Sequence, residues 1–153
     1  MIKTHSSEET EAAGAHFAAT LRGNETVAFF GDLGAGKTTF LKGMISALTG
    51  CSPSEITSPT FNYLNIYEGK IPVYHFDLYR IGVNDLLDIG YEEFFYGKGI
   101  AVIEWSERLG ELMPEDHWHV KLAHKGENQR RITLSFRGAG LKARFAKTLG
   151  MLT

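Results

Sequence analysis

Apolar residues along the chain fall into two kinds of pattern, short uninterrupted runs and runs spaced three or four apart, and the two alternate from the start. Ser6 followed by Glu9 has the spacing of a helix-capping pair, and Phe17 and Leu21 lie four apart among alanines before Gly23. That pattern predicts a helix over roughly Ser7–Leu21. Thr26-Val27-Ala28-Phe29-Phe30 is nearly all apolar and ends at Gly31, as expected of a strand buried on both faces. Phe40, Leu41, Met44, Ile45 and Leu48 then recur at helical spacing until Gly50 supplies a stop.

Phe61–Tyr67 and Ile71–Tyr79 are rich in aromatic and β-branched residues and flank Glu68-Gly69-Lys70, which predicts an antiparallel hairpin. Leu86, Leu87, Ile89, Tyr91, Phe94 and Phe95 follow with mixed spacing around Gly90, predicting one or two short helices. Ile100-Ala101-Val102-Ile103 is wholly apolar and closes on Glu104, so it is expected to be a central parallel strand. His117–Ala123 and Arg130–Phe136 alternate around a polar turn at Lys125-Gly126-Glu127-Asn128, and Leu141, Phe145 and Leu149 space a closing helix. The expected fold is α/β: a three-layer sandwich with a mixed central sheet, antiparallel hairpins and helices on both faces.

With 153 residues, the chain is read as one domain over 1–153. A net charge of −2 argues against coating nucleic acid through overall charge, so no DNA partner is expected and any RNA contact is local or reached through a partner. A single cysteine, Cys51, excludes an internal disulfide and suits a reducing cytoplasm, the expected location. The polar, acidic start and the lack of any apolar run near eighteen residues predict neither export nor membrane insertion.

Gly31-Asp32-Leu33-Gly34-Ala35-Gly36-Lys37-Thr38 fits the phosphate-loop pattern G-x-x-x-x-G-K-[ST] between a predicted strand and a predicted helix. The glycines let backbone N–H groups turn inward on phosphate oxygens, and the helix start adds its positive dipole end. Lys37 offers a point charge to the β- and γ-phosphates, and Thr38 offers a hydroxyl to Mg2+. Such a site needs a carboxylate at a strand end, and Asp77 and Glu104 are the candidates. The apolar run before Glu104 ranks it first for the metal or its waters, and leaves Asp77 to sense the γ-phosphate or order the attacking water. Thr57-Ser58-Pro59-Thr60 lies where P-loop switches place a hydroxyl, making Thr60 or Ser58 a candidate beside an ordinary loop entry. Arg80 reads as a phosphate contact or a hairpin ion pair, and Trp105 as core or partner contact. His75, His117, His119 and His124 have no ligand spacing and are assigned no metal.

Gly31 to Thr39, Ser58-Pro59-Thr60-Phe61, Tyr74-His75-Phe76-Asp77-Leu78-Tyr79-Arg80 and Ile103-Glu104-Trp105, in this order and spacing, closely resemble the TsaE (YjeE) family of bacterial ATPases. The resemblance runs from about Ser6 to Ile103 plus the Glu-Trp pair, and is weakest in the last thirty residues. It implies Mg-dependent ATP hydrolysis, weak in the isolated protein, in support of the TsaD and TsaB proteins. Those partners form N6-threonylcarbamoyladenosine at position 37 of tRNAs reading codons that begin with adenosine, so tRNA is met indirectly. By matching position, the loop through Thr39 binds nucleotide, Lys37 and Thr38 bind phosphate and magnesium, and Glu104 holds the metal. Thr60, Asp77 and Trp105, with Ser58 and Arg80, couple nucleotide state to activity, and Glu9 contacts the nucleoside. The absence of an N/TKxD-type base reader fits ATP rather than GTP. A small-molecule kinase and a nonenzymatic nucleotide-gated binding module stay open as alternatives.

Overall fold

A computed structural model describes residues 1–31, 37–59 and 63–138, the side chain of Lys37 excepted. The predicted closing helix lies outside the described residues.

Seven strands form one sheet in the order β1-β7-β6-β2-β5-β4-β3: β1 (Ile2–Thr4), β2 (Glu25–Gly31), β3 (Leu64–Tyr67), β4 (Val73–Asp77), β5 (Ile100–Glu104), β6 (His117–His124) and β7 (Arg130–Arg137). The apolar run of β2 lies at the centre because both its neighbours, β5 and β6, are parallel to it and helices cover both faces. β4 continues the parallel set beside β5, and the β3–β4 and β6–β7 hairpins and β1 on β7 are antiparallel. The expected mixed sheet and both hairpins are therefore present. β1 was not foreseen, because three residues are too short to show a period.

Helices α1 (Ser7–Ala18) and α2 (Lys37–Thr49) cover one face over Val27, Phe29, Val73, Ile100 and Val102. The short helices α3 (Val83–Asp88) and α4 (Glu92–Phe95) cover the other, over Phe76, Ala101 and Ile103. This alternation follows from the two-residue period of a strand.

Helix α1 ends at Ala18, short of the predicted Leu21. The next three amides bond three residues back, and Thr20 Oγ1 donates to the Phe17 carbonyl at 2.8 Å, tightening the last turn before Gly23. Its start is as predicted: Ser6 Oγ accepts from the Glu9 amide at 3.1 Å. The Glu9 carboxylate accepts from the His5 amide, one residue before the cap. Gly14 and Gly43 let the two helices touch backbone to backbone. A Cβ on Gly14 would stand 2.1 Å from the Phe40 carbonyl oxygen, and one on Gly43 1.9 Å from that of Glu11. No helix among the described residues is long and apolar enough to cross a membrane.

Candidate functional site

β2 delivers the chain to the predicted phosphate loop at Gly31, where only glycine fits. Its φ is +134°, and a Cβ there would lie 2.4 Å from the Leu122 carbonyl oxygen on β6. Asp32, Leu33, Gly34, Ala35 and Gly36 lie outside the described residues. The chain is next described at Lys37, the first residue of α2, so the strand and the helix stand on either side of that segment as predicted. Thr38 is exposed in that first turn, and Thr39 lines a small cleft with Ser6, Ser7, Thr10, Asn128 and Arg130. Glu9 is exposed one helical turn from Ser6.

Glu104 and Asp77 are register partners at the ends of the parallel strands β5 and β4, so both side chains leave the same face of the sheet. That is the α2 face, since Val102 and Val73, at even spacing from them, pack under α1 and α2. Their surroundings differ. Glu104 is only 5% exposed. Its Oε2 accepts from Ser58 Oγ at 3.1 Å and from His75 Nε2 at 2.8 Å. Ser58 Oγ is in turn 3.5 Å from Thr38 Oγ1, so a continuous polar row runs from the first turn of α2 to the end of β5 and back to β4. Asp77 is half-buried, and its Oδ1 accepts the Tyr79 amide at 2.9 Å, closing the turn after β4.

Ser58 is placed by its neighbours. Buried Ile56 anchors the segment, and Asn65 Nδ2 and Tyr67 Oη both donate to the Thr57 carbonyl, at 3.1 and 3.2 Å. The sequence reading set Ser58 among the coupling residues; its hydroxyl lies between Thr38 and Glu104. Thr60 lies outside the described residues. Arg80 is exposed and makes neither hydrogen bond nor ion pair among the described residues, so the hairpin ion pair considered for it is absent there.

Trp105, directly after Glu104, adopts φ +60° and ψ +43°, a left-handed conformation that costs roughly 1–2 kcal/mol for a residue with a Cβ. The sharp turn it makes is continued by Ser106, whose hydroxyl donates to the Ile103 carbonyl at 2.8 Å. The turn puts the Trp105 indole against Tyr79, ring centroids 5.0 Å apart. Asp77, Tyr79 and Trp105 thus sit together at the carboxyl ends of β4 and β5.

His75 is the site residue that sequence reasoning missed: it was considered only as a metal ligand and set aside. The signal was present, because His75 precedes Asp77 by two and so shares its face of the strand. The hydroxyls of Thr38 and Ser58 and the carboxylate of Glu104 form an all-oxygen donor set, which suits a hard cation such as Mg2+.

A buried parallel strand entering a glycine-rich loop and helix, with a second parallel strand presenting an acid beside that helix's first turn, defines an α/β fold of the P-loop NTPase class. The solved structure of Bacillus subtilis YdiB shares it, with a TM-score of 0.78 and 30% identity over 96% of this chain and 91% of that one. The family model for Threonylcarbamoyl adenosine biosynthesis protein TsaE matches residues 4–132, and the chain belongs to that family. Relatives carrying the name tRNA threonylcarbamoyladenosine biosynthesis protein TsaE include that of Treponema pallidum, 38% identical over 86% of this chain and 97% of its own length. That of Bacillus subtilis is 35% identical over 87% and 83%, and that of Aquifex aeolicus 43% over 67% and 74%.

Proposed function

We propose that the chain is an Mg-dependent ATPase that acts with TsaB and TsaD in forming N6-threonylcarbamoyladenosine on tRNA. The observation that carries this reading is the row Thr38–Ser58–Glu104, which joins the first turn after the phosphate loop to the acid at the end of β5. A catalytically idle glycine turn has no need of a buried carboxylate held beside it by two donors.

In this reading the loop amides and Lys37 hold the β- and γ-phosphates, and α2 directs its positive end at them. Thr38 and Glu104 would hold Mg2+, directly or through its waters, with Ser58 keeping the two in line. Bound Mg2+ supplies charge neutralisation at the phosphate oxygens. Asp77, at the same level as Glu104 but less enclosed, would order the attacking water; the water oxygen bonds to the γ-phosphorus as the bond to the β,γ-bridging oxygen breaks, the water's proton passes to the departing phosphate, and ADP and phosphate leave. Because Asp77 also closes the turn that carries Tyr79, and the Tyr79 ring packs at a tilt against Trp105, a change at the γ-phosphate would reach exposed aromatic surface within one turn of chain. That surface is where the partners would register nucleotide state. Weak turnover alone is expected, since a group supplied on docking contributes roughly 10³–10⁵ in other P-loop enzymes.

Phosphate release by the purified chain, alone and with TsaB and TsaD of the same organism, tests the proposal. Partner-stimulated hydrolysis that falls at least about 100-fold in Lys37→Ala and Glu104→Ala is the expected result. Full hydrolysis in Lys37→Ala, or no stimulation in a complex shown to have formed, would overturn it.

A further inference from the structure

We propose that His75 is a positioning residue for the metal site: it orients the Glu104 carboxylate through Nε2, so that the affinity for a divalent cation depends on a side chain that never touches the cation. The inference rests on the reading of Glu104 as a metal-holding acid.

His75 is 1% exposed, in β4 between Tyr74 and Phe76, and Val73 and Val102 share its face of the sheet. A carboxylate only accepts, so at 2.8 Å from Glu104 Oε2 the Nε2 atom carries the hydrogen, which sets the imidazole's orientation. Ser58 Oγ donates to the same oxygen. Two donors converging on one oxygen, from β4 and from the segment before β3, fix the rotation of the carboxyl group about its last bond. The other ring nitrogen gives the second indication. Nδ1 is buried and has no hydrogen-bond partner among the described residues. Leaving a buried polar atom unmatched costs free energy that an apolar residue here would not. Packing therefore does not account for histidine at this position, and its one polar contact among the described residues is Glu104. Partners behind a metal-holding carboxylate typically change metal affinity 10–100-fold.

The test uses the full chain with His75→Leu and His75→Gln. The glutamine amide restores a donor; leucine restores only bulk. Mn2+ is titrated into protein saturated with ADP and followed by its paramagnetic resonance, and ADP affinity is measured separately in EDTA. The expected result is a 10–100-fold loss of Mn2+ affinity in His75→Leu. ADP binding in EDTA stays at the wild-type value, and His75→Gln recovers most of the loss. Unchanged Mn2+ affinity in His75→Leu overturns the proposal. So does a parallel loss of metal-free ADP binding that His75→Gln fails to repair, which marks a folding defect. Wild-type protein whose ADP complex takes up no Mn2+ sinks the metal-site reading itself, and this inference with it.

Discussion

The two faces of the sheet are built to different standards. Under α1 and α2, Phe17, Phe29, Phe40 and Trp118 are fully buried and meet edge-on, with Phe17 and Trp118 centroids 5.3 Å apart, and the helices approach to backbone contact at Gly14 and Gly43. Under α3 and α4 the helices have six and four residues, and Phe76, Leu86 and Phe95 are buried beside exposed Tyr79, Val83, Leu87 and Tyr96. The difference teaches a division of labour. One face holds the helix that follows the glycine-rich segment to a fixed position, and the other presents apolar surface beside the end of the proposed nucleotide site. The two meet only at the ends of β4 and β5, where Asp77 and Glu104 face α2 while Trp105 faces the other way.

Breaking the tight face should have the largest effect. Gly43→Ala pushes a methyl group into the Glu11 carbonyl, a backbone atom that cannot swing away, and should lower unfolding free energy by about 3 kcal/mol. Gly82→Ala, which meets nothing within 4 Å beside the open face, should change it by less than about 0.5 kcal/mol. Urea midpoints of the two variants measure the contrast, and equal midpoints would remove it. The open face should answer in binding rather than stability. Tyr79→Ser should leave the urea midpoint close to wild type yet weaken the proposed binding of this chain to TsaB and TsaD by about 10-fold in calorimetry, as loss of an exposed aromatic anchor does.

The smallest expected effect concerns His119, stacked on Phe30 with centroids 4.1 Å apart. Desolvation lowers its pKa, with the positive charges of Arg137 and Lys121 and with His117 adding to the effect. Between that lowered value and the ordinary value near 6.5 the unfolded chain binds more protons, so stability should rise as pH rises through this window. In His119→Phe the pH slope of the urea midpoint should be shallower there; an unchanged slope would assign the dependence to another group.

The strand and helix on either side of the predicted loop were legible, β2 and β5 because they are buried on both faces and read as unbroken apolar runs, α2 because its apolar residues recur at helical spacing. The β6–β7 hairpin was legible from alternation and the β3–β4 hairpin from its aromatic and β-branched residues around Glu68-Gly69-Lys70, although the strands begin and end within the predicted limits or one residue beyond. Ranking Glu104 above Asp77 for the metal rested on the apolar character of its strand; in the structure Glu104 is the more enclosed of the two. That β4 also runs parallel, beside β5, was not legible: Tyr74 and His75 break its apolar run, and strand order depends on contacts remote in sequence. The row from Thr38 to His75 escaped for the same reason, because it joins residues up to 46 positions apart and no local spacing encodes it. The left-handed Trp105 was equally hidden, being a bulky residue where glycine is usual.

The strand order also sets a timetable for synthesis. Neither β1 nor β2 pairs with any strand made before β5: β2 waits for β5 and β6, and β1 waits for β7. At roughly 5–20 residues per second, the apolar β2 leaves the ribosome several seconds before its first sheet partner exists. Helices α1 and α2 are made early and touch each other through Gly14 and Gly43, so this helical pair is the natural shelter for Phe29 and Val27 in the interval. A tight helix crossing that looks like a device of the finished protein is, on this timetable, also its earliest protection against aggregation.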